Sequence, residues 1–264
     1  MSTFDPAFYR RYRPYYPPEA FDHFTQRLKD HGLKEPYQIA DIGCGTGHSI
    51  ISLLRTGIEA KLIGIDPDAK MLEQAKLLTQ TSGFSVDLQL GSGEQTGLKS
   101  LSLDAAIIGS AFHWMDPMKA KDELARILKP QGLIRIMEYQ FPKASNHPGL
   151  NEWIRRQFNL YWKAPNQKPR GTFIELLSGF QSDQRFHKTG SDTPRMILSL
   201  TPGDLHGLLW SQSRVLCYLA TLTENEKERH CDEVRSRLER EFENSQMNFD
   251  FKLQWNEFGR MPNG

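Results

Sequence analysis

The sequence predicts an α/β fold, doubly wound around a mostly parallel sheet, and three features of the chain support this prediction. Five buried apolar runs alternate with amphipathic segments of helical period, which is the order of a parallel sheet with right-handed crossovers. The first run leads into a turn with glycine at alternate positions. Clusters of glycine or polar residues fall at the ends of the runs. Because ligands of such sheets bind outside the carboxyl ends of the strands, we expect the binding site at that edge.

The predicted strands and helices follow one another along the first half of the chain. The strands cover the apolar runs Ile39–Ile42, Ala60–Asp66, Val86–Leu90, Leu103–Gly109 and Leu133–Phe141. The helices are predicted over Glu19–Leu33, from His48, from Pro67 past Ala75, and through Leu124 to Leu128. Pro67 favours a helix start because its missing N–H is not needed in the first turn.

Beyond Phe141 this alternation stops, and the composition indicates a helical cap. Helices are predicted around Trp153 to Trp162, around Phe173 to Leu177, over 202–222 and over 224–243. A short strand at about 184–190 and an alternating tail at about 247–257, read as an edge or antiparallel strand, bring the sheet to seven strands. We therefore expect one domain over 1–264. Its core would cover about 35–142 and the two late strands, and its cap about 1–33, 145–182 and 196–243.

The glycine turn, Asp41-Ile-Gly-Cys-Gly-Thr-Gly47, distinguishes between two kinds of nucleotide site. A dinucleotide fingerprint, Gly-x-Gly-x-x-Gly, would place its third glycine at His48, whereas this chain has glycine at 43, 45 and 47. Asp41 puts a carboxylate beside the turn, which suits a cationic ligand better than a phosphate. A turn with only a structural role stays an alternative. Cys44 is interpreted as a small side chain that fills the turn rather than as a nucleophile.

Composition excludes several other classes of function. The formal net charge of +1 and the absence of a basic tract argue against nucleic acid as a partner. The sequence contains no apolar run of membrane-spanning length, and its first residues lack the plan of a signal peptide. The three scattered cysteines indicate neither disulfides nor a metal site, so a cytoplasmic location is expected. The oligomeric state stays open.

The segment from Phe4 to Pro18 is dense in tyrosine, arginine and proline, and it forms the predicted N-terminal strap. The prolines at 14, 17 and 18 break helices and favour an extended path. The strap could cover an edge of the core, or it could form a lid over a pocket in which Arg11 or Arg13 pairs with a carboxylate.

Together these segments resemble the class I S-adenosylmethionine-dependent methyltransferases, in particular the small-molecule subgroup that includes ubiquinone and trans-aconitate methyltransferases. The resemblance covers residues 37–140. Its motifs are Asp-x-Gly-x-Gly-x-Gly from Asp41, Gly-Ile-Asp-Pro-Asp-x-x-Met-Leu from Gly64, Gly-Ser-Gly-Glu from Gly91 and Leu-Lys-Pro-x-Gly-Leu from Leu128. The resemblance implies a Rossmann-like methyltransferase fold, S-adenosyl-L-methionine as cofactor and a small-molecule substrate. Tyr-Arg-Pro-x-Tyr-Pro in the strap, Phe-His-Trp after the fourth strand and Trp210-Ser211 are similar to the trans-aconitate branch.

The resemblance also implies roles for individual residues. Asp66, about 20 residues past the turn, would accept hydrogen bonds from the ribose hydroxyls. The cofactor-binding residues implied in this way are Asp41, Gly43, Cys44, Gly45, Asp66, Pro67, Met71, Ser92, Gly93, Glu94, Ser110 and Ala111. The predicted substrate-binding residues are Tyr9, Tyr12, Arg13, Phe112, His113, Trp114 and Trp210.

His113 is the histidine nearest the predicted reaction centre and is therefore the candidate general base. A carboxylate acceptor needs no base, whereas a hydroxyl or an ammonium does. His113 could equally be a residue of the pocket wall. The leading hypothesis is methyl transfer to a small molecule, with an acid or hydroxyl oxygen as acceptor. The alternatives are methylation of a small amine, a cofactor-binding protein without turnover, and a nicotinamide-dependent oxidoreductase.

Overall fold

The computed structural model describes residues 5–30, 34–162, 173–242 and 245–262. The chain divides into two compact units. The core unit contains the described residues of Pro14–Tyr139, Arg170–Pro194 and Leu253–Gly264, and the helical unit contains those of Met1–Arg13, Gln140–Pro169 and Arg195–Lys252. None of the helices in the described ranges is both long enough and apolar enough to span a membrane.

The secondary structure comprises the following elements. The helices are α1 (Pro6–Tyr12), α2 (Glu19–Asp30), α3 (His48–Leu54), α4 (Ala69–Thr81), α5 (Pro117–Ile127), α6 (Pro148–Arg156), α7 (Phe173–Gln181), α8 (Pro202–Trp210), α9 (Ser213–Leu219) and α10 (Glu224–Phe242). The strands are β1 (Tyr37–Ile42), β2 (Ala60–Asp66), β3 (Asp87–Leu90), β4 (Leu103–Gly109), β5 (Leu128–Tyr139), β6 (Lys143–Ala144), β7 (Phe186–Asp192), β8 (Ile197–Leu200), β9 (Met247–Asp250) and β10 (Leu253–Arg260).

The core unit is built on a seven-stranded sheet in the order β3-β2-β1-β4-β5-β10-β7. Strands β1 to β5 are parallel, and β10 is antiparallel to both of its neighbours. This confirms the predicted mostly parallel sheet of seven strands. The direction of the strand order reverses between β1 and β4, which makes their carboxyl ends the topological switch point where ligands of such sheets bind.

Buried apolar side chains explain the position of the core elements. β4 is buried over six consecutive residues, Leu103 to Ile108, as expected for a strand covered on both faces. Helix α2 buries the predicted apolar face, which includes Phe21, Phe24 and Leu28. Helices α2 and α7, which the sequence assigned to the cap, belong to the core unit.

The helical unit contains the remaining helices and a small antiparallel sheet in the order β6-β9-β8. Helix α8 packs against both α1 and α10. The predicted helix over 202–222 is two helices, since Ser211 caps the end of α8 and α9 starts at Ser213.

Two local predictions were wrong. Residues 6–12 form α1 rather than an extended strap, because Asp5 accepts a hydrogen bond from the Ala7 N–H and Pro6 suits the first helical position. The prolines at 14, 17 and 18, which were expected to break a helix, all follow the last residue of α1. The tail, predicted as one edge or antiparallel strand, is two strands separated at Lys252, which has a φ of 46°. β9 joins the small sheet, and β10 lies inside the large one, antiparallel to its neighbours.

Candidate functional site

The glycine turn follows β1 at the switch point and contacts the segment that follows β4. Gly43, Gly45 and Gly47 have φ values of 73°, 54° and 88°, in the left-handed region that favours glycine. A Cβ atom added to Gly43 would lie 2.5 Å from the Cβ atom of Ala111. Only glycine therefore permits two of the predicted cofactor-binding segments to meet here.

Four backbone N–H groups of this turn already have acceptors within the protein. Those of Gly43 and Cys44 both donate to the Ile65 carbonyl, at 2.8 and 2.9 Å. The Gly47 N–H donates to the Cys44 carbonyl, and the Gly45 N–H donates to Asp66 Oδ2 at 2.9 Å. A phosphate site needs such groups free to point at the anion. These four N–H groups do not point at an anion, which argues against the dinucleotide alternative.

Asp41 is the most buried acid of the site, with no exposed surface. Its Oδ2 accepts a hydrogen bond of 2.5 Å from Ser49, while its Oδ1 has no hydrogen-bond partner among the residues that the structure describes. Burial, opposed by the Ser49 hydrogen bond and assisted by the charge of Asp66, raises the pKa of Asp41 to about 7. An unpaired buried carboxylate oxygen is costly, so this position suits a cationic partner. Since protein atoms cover Oδ1, such a partner needs a small local movement or a bridging water.

Asp66 at the end of β2 is held in place by two backbone groups. Its Oδ2 accepts from Gly45, and its Oδ1 accepts from the Asp68 N–H at 2.9 Å. Burial raises its pKa, although these two hydrogen bonds oppose the shift. Each carboxylate oxygen keeps a further lone pair, so both can also accept from a ribose diol.

The predicted cofactor-binding residues that follow β2 and β3 are only partly brought together. Pro67 and Ser92 line one groove of about 510 Å³, together with Leu90, Gly91, Gln95 and Gly97. Met71 lies half-buried on α4. Gly93 is buried against Met115, whose Sδ atom would lie 2.3 Å from an added Cβ.

Glu94 holds the start of α5, since its Oε1 accepts from the Asp116 N–H at 2.7 Å. Burial would raise the pKa of Glu94, but the hydrogen bonds from Asp116 and from the Ser92 side chain outweigh it and lower the pKa.

Ser110 has an unusual backbone conformation at the carboxyl end of β4. Its φ is 53°, a left-handed value that is uncommon for a residue other than glycine and that often marks functional sites. Its N–H donates to the Met137 carbonyl at 2.8 Å, and its hydroxyl lies 2.8 Å from the Tyr16 hydroxyl. Ala111, which follows, is almost fully buried. Sequence reasoning did not predict Tyr16 as a site residue, although it is the second tyrosine of the Tyr-Arg-Pro-x-Tyr-Pro motif in the strap.

Phe112, His113 and Trp114 form a single 3-10 turn after β4. Phe112 is buried against Phe180 of α7, with ring centroids 5.9 Å apart, whereas Trp114 is 63% exposed. The Nδ1 atom of His113 lies 3.6 Å from Oε1 of Glu138, at the end of β5. Glu138 was not predicted as a site residue because the pairing joins the turn after β4 to the end of β5, which meet only in the folded sheet.

The other predicted substrate-binding residues belong to the helical unit. The Arg13 guanidinium lies 4.5 Å from the centroid of the Tyr9 ring and donates to the Ser211 carbonyl at 2.9 Å. The Tyr12 ring packs against Gly207, where an added Cβ would lie 2.2 Å away. Tyr9 and Trp210 line the same cavity of about 590 Å³.

Comparison with known proteins places this geometry in context. Residues 40–136 match the methyltransferase domain family. An uncharacterized methyltransferase of Mycobacterium tuberculosis is 33% identical over 130 residues, which is 49% of this chain and 48% of the relative. The trans-aconitate 2-methyltransferase of Rhodopseudomonas palustris is 27% identical over 117 residues, which is 44% of this chain and 43% of that enzyme. The chain thus spans about half the length of these curated relatives.

A solved structure from Anaeromyxobacter dehalogenans, assigned as a type II methyltransferase, covers 95% of this chain and 99% of its own. The TM-score is 0.64 and the sequence identity is 19%. This similarity confirms the predicted fold.

Proposed function

We propose that this chain is an S-adenosylmethionine-dependent methyltransferase that transfers a methyl group to an oxygen atom of a small molecule, because its residues 40–136 match the methyltransferase domain family. S-adenosyl-L-methionine is the cofactor of this family. It supplies an electrophilic methyl group on a positively charged sulfur. The acceptor oxygen would belong to a carboxylate or a hydroxyl group.

The observation that carries the proposal is the charge of the groups around the glycine turn. Four N–H groups of the turn donate to protein acceptors, and the side chains beside it include the carboxylates of Asp41 and Asp66. Such a site favours a ligand with an ammonium group and a diol over one with a pyrophosphate. In this proposal Asp66 accepts from the ribose, Asp41 balances the ammonium charge, and the carbonyls of Ser110 and Ala111 face the methionine end.

The remaining cofactor-binding and substrate-binding residues stay predictions at the level of single positions. A small-molecule acceptor is favoured by the similarity to a trans-aconitate methyltransferase and by the balanced charge of the chain. The acceptor-binding roles of Phe112 and Trp114, and of Tyr9, Tyr12, Arg13 and Trp210, belong to the proposal. A cytoplasmic location and a single domain also stay predictions.

Calorimetric titration followed by a methylation assay tests the proposal. The protein should bind S-adenosylmethionine and not NAD, and Asp66→Asn should weaken binding by about tenfold or more, because charge-assisted hydrogen bonds contribute 1.5–3 kcal/mol. Asp87→Asn is the matched control, since Asp87 is an exposed acid at the start of β3. Methyl transfer is then assayed with carboxylic acids and phenols. Binding without transfer to any acceptor would instead support a cofactor-binding protein without turnover.

A further inference from the structure

The helical unit contains a cavity of about 590 Å³ that is lined by residues of α1, α8, α9 and α10. We infer that this cavity is a binding site for a neutral, mostly apolar small molecule that carries an aromatic ring. The inference goes beyond the proposed methyl transfer and does not rest on it. All residues that line the cavity belong to the helical unit, and none of them is a predicted cofactor-binding residue.

The lining of the cavity provides a large apolar surface. Three aromatic rings and two leucines contribute to it, namely Phe8, Tyr9, Trp210, Leu216 and Leu219. Leu219 is buried, whereas the other four side chains are only half-buried. A cavity of about 590 Å³ has the size of ordinary small-molecule sites, which are concave and lined mainly by apolar and aromatic side chains. An aromatic ring bound here would remove this apolar surface from water.

The part of the lining that Trp210 contributes is held in place by other rings. The Trp210 ring stacks on the imidazoles of His206 and His230, with centroid distances of 4.3 and 5.9 Å. Nε2 of His230 in turn accepts a hydrogen bond of 2.8 Å from Nε1 of the fully buried Trp162. Because Trp210 is fixed by these contacts, a ligand that packs against it loses little affinity to the ordering of this side chain.

The part of the lining that α1 contributes lacks such support. α1 has seven residues, and none of them is buried. Its Tyr12 ring packs against Gly207 of α8, whereas its Phe8 and Tyr9 side chains line the cavity. A helix this short depends on packing for its stability. A ligand in the cavity would add apolar contacts to Phe8 and Tyr9 and would therefore stabilise α1.

The polar side chains between α8 and α10 favour a neutral ligand. Sγ of Cys231, which lines the cavity, lies 3.3 Å from Nε2 of His206. Burial raises the pKa of the Cys231 thiol and lowers the pKa of His206 to about 4. Both groups are therefore uncharged at neutral pH, and neither offers a counter-charge to an ionised ligand.

The charged residues of the lining also favour a neutral ligand, because its two cations already have acidic partners. Nζ of Lys227 lies 2.6 Å from Oε1 of Glu224, and Nη1 of Arg235 lies 3.7 Å from Oδ1 of Asp232. The acids of the lining, Asp5, Glu228 and Asp232, are exposed to solvent. An ionised group placed deeper, among the aromatic rings, would lose water without gaining a counter-charge.

The test compares three probes that share a phenylpropyl group and differ in charge: 3-phenylpropanol, 3-phenylpropionate and 3-phenylpropylamine. Calorimetry with the full chain, in the absence of S-adenosylmethionine, should show binding of 3-phenylpropanol with a Kd of about 1 mM or lower, as expected for about ten non-hydrogen atoms. The two charged probes should bind at least about tenfold more weakly, because their head groups are desolvated without a partner.

Alkylation by iodoacetamide shows where the probe binds. Cys231 lines the cavity, whereas Cys217 is exposed, does not line it and serves as the internal control. At about ten times its Kd, 3-phenylpropanol should slow the alkylation of Cys231 about tenfold and leave that of Cys217 unchanged. Mass spectrometry of the modified peptides measures both rates in one sample.

Two variants test the lining itself. Leu216→Trp should fill part of the cavity and weaken the binding of 3-phenylpropanol by about tenfold or more. Leu160→Trp is the matched control, because Leu160 is 56% exposed and does not line the cavity. Phe8→Ala removes a ring without adding volume and should also weaken binding by about tenfold, so the test does not depend on the folding of Leu216→Trp. Thermal unfolding shows whether each variant is folded.

Three results would overturn the inference: binding of either charged probe as tight as that of 3-phenylpropanol, alkylation of Cys231 that 3-phenylpropanol does not slow, or affinities of folded Leu216→Trp and Phe8→Ala equal to that of Leu160→Trp. These measurements use no S-adenosylmethionine, so such results would leave the proposed methyl transfer in place. A failure to methylate any acceptor would conversely overturn the proposed function and leave this binding site in place.

Discussion

Cofactor binding should release a proton from Asp41, and this linkage can be measured. The buried carboxyl has a pKa of about 7 because burial penalises its charge, and its Oδ1 has no hydrogen-bond partner in the described part of the chain. A cationic group bound beside it stabilises the ionised form. Affinity for S-adenosylmethionine should therefore fall about tenfold between pH 8 and pH 6, as the protonated fraction rises from roughly a tenth to nine tenths.

The same shift affects the stability of the protein without cofactor. Since the folded pKa lies above the ordinary value of 3.8, the contribution of Asp41 to stability is full below that value and is lost as pH rises through about 7. The loss amounts to about 4 kcal/mol at most. Asp41→Asn should remove this penalty, raising the free energy of unfolding at pH 8 while weakening cofactor binding.

Calorimetry in two buffers of different ionisation enthalpy measures the linkage directly. At pH 6 the wild-type protein should release about 0.9 proton per cofactor bound, and at pH 8 about 0.1. Asp41→Asn should release none at either pH, whereas Asp87→Asn, at an exposed acid, should behave as wild type. A wild-type affinity that stays constant from pH 5.5 to pH 8, with the same proton count as Asp41→Asn, would refute the reasoning.

Three further predictions concern other residues. Gly43→Ala should reduce cofactor affinity by at least about tenfold and destabilise the protein by more than the roughly 1 kcal/mol expected of the control Gly57→Ala. Both glycines have positive φ, but only the Cβ added at 43 meets Ala111. Equal losses of stability on denaturant unfolding would contradict this. Tyr16→Phe should cost about 1 kcal/mol in thermal unfolding and weaken cofactor binding, because the lost hydroxyl bonds to the strained residue after β4; unchanged stability and affinity would show that this contact is unimportant. Burial lowers the pKa of His206 to about 4, so its contribution to stability is present above its ordinary pKa of 6.5 and is lost as pH falls towards 4. After a discount for solvent screening, we expect this loss to lower the free energy of unfolding by about 1–2 kcal/mol, and His206→Gln should not show it. An equal change in the urea midpoints of both proteins between pH 7.5 and pH 4.5 would disprove it.

Much of the fold was predictable because it depends on local patterns. The apolar runs that end at Asp66, Leu90 and Gly109 appear as strands that end at these residues. Their period and their flanking turns are properties of short segments, which any sequence shows directly. The helix α1 was not predicted from the sequence, because the prolines at 14, 17 and 18 were given more weight than the N-terminal cap at Asp5.

Part of the site was predictable for the same reason. The glycine turn follows a buried strand, and acids lie beside it and at the end of the next strand. This order of residues indicates the switch point without knowledge of side-chain contacts. The sequence could not show that the Gly45 N–H donates to Asp66, nor that Glu94 holds the start of α5. These contacts join segments that are about 20 residues apart and that meet only when the parallel strands are in register.

The sequence alone therefore determined the fold class, the edge of the sheet at which a ligand is expected and the two acids beside the glycine turn, since each follows from residue order. The tertiary structure decided which groups have partners. It showed that four N–H groups of the turn donate to protein acceptors, that Oδ1 of Asp41 accepts no hydrogen bond from the described residues, and that Tyr16 and Glu138 lie beside Ser110 and His113. The physical reason is that hydrogen bonding and burial depend on distances between atoms of separate strands, and those distances exist only after the sheet has formed.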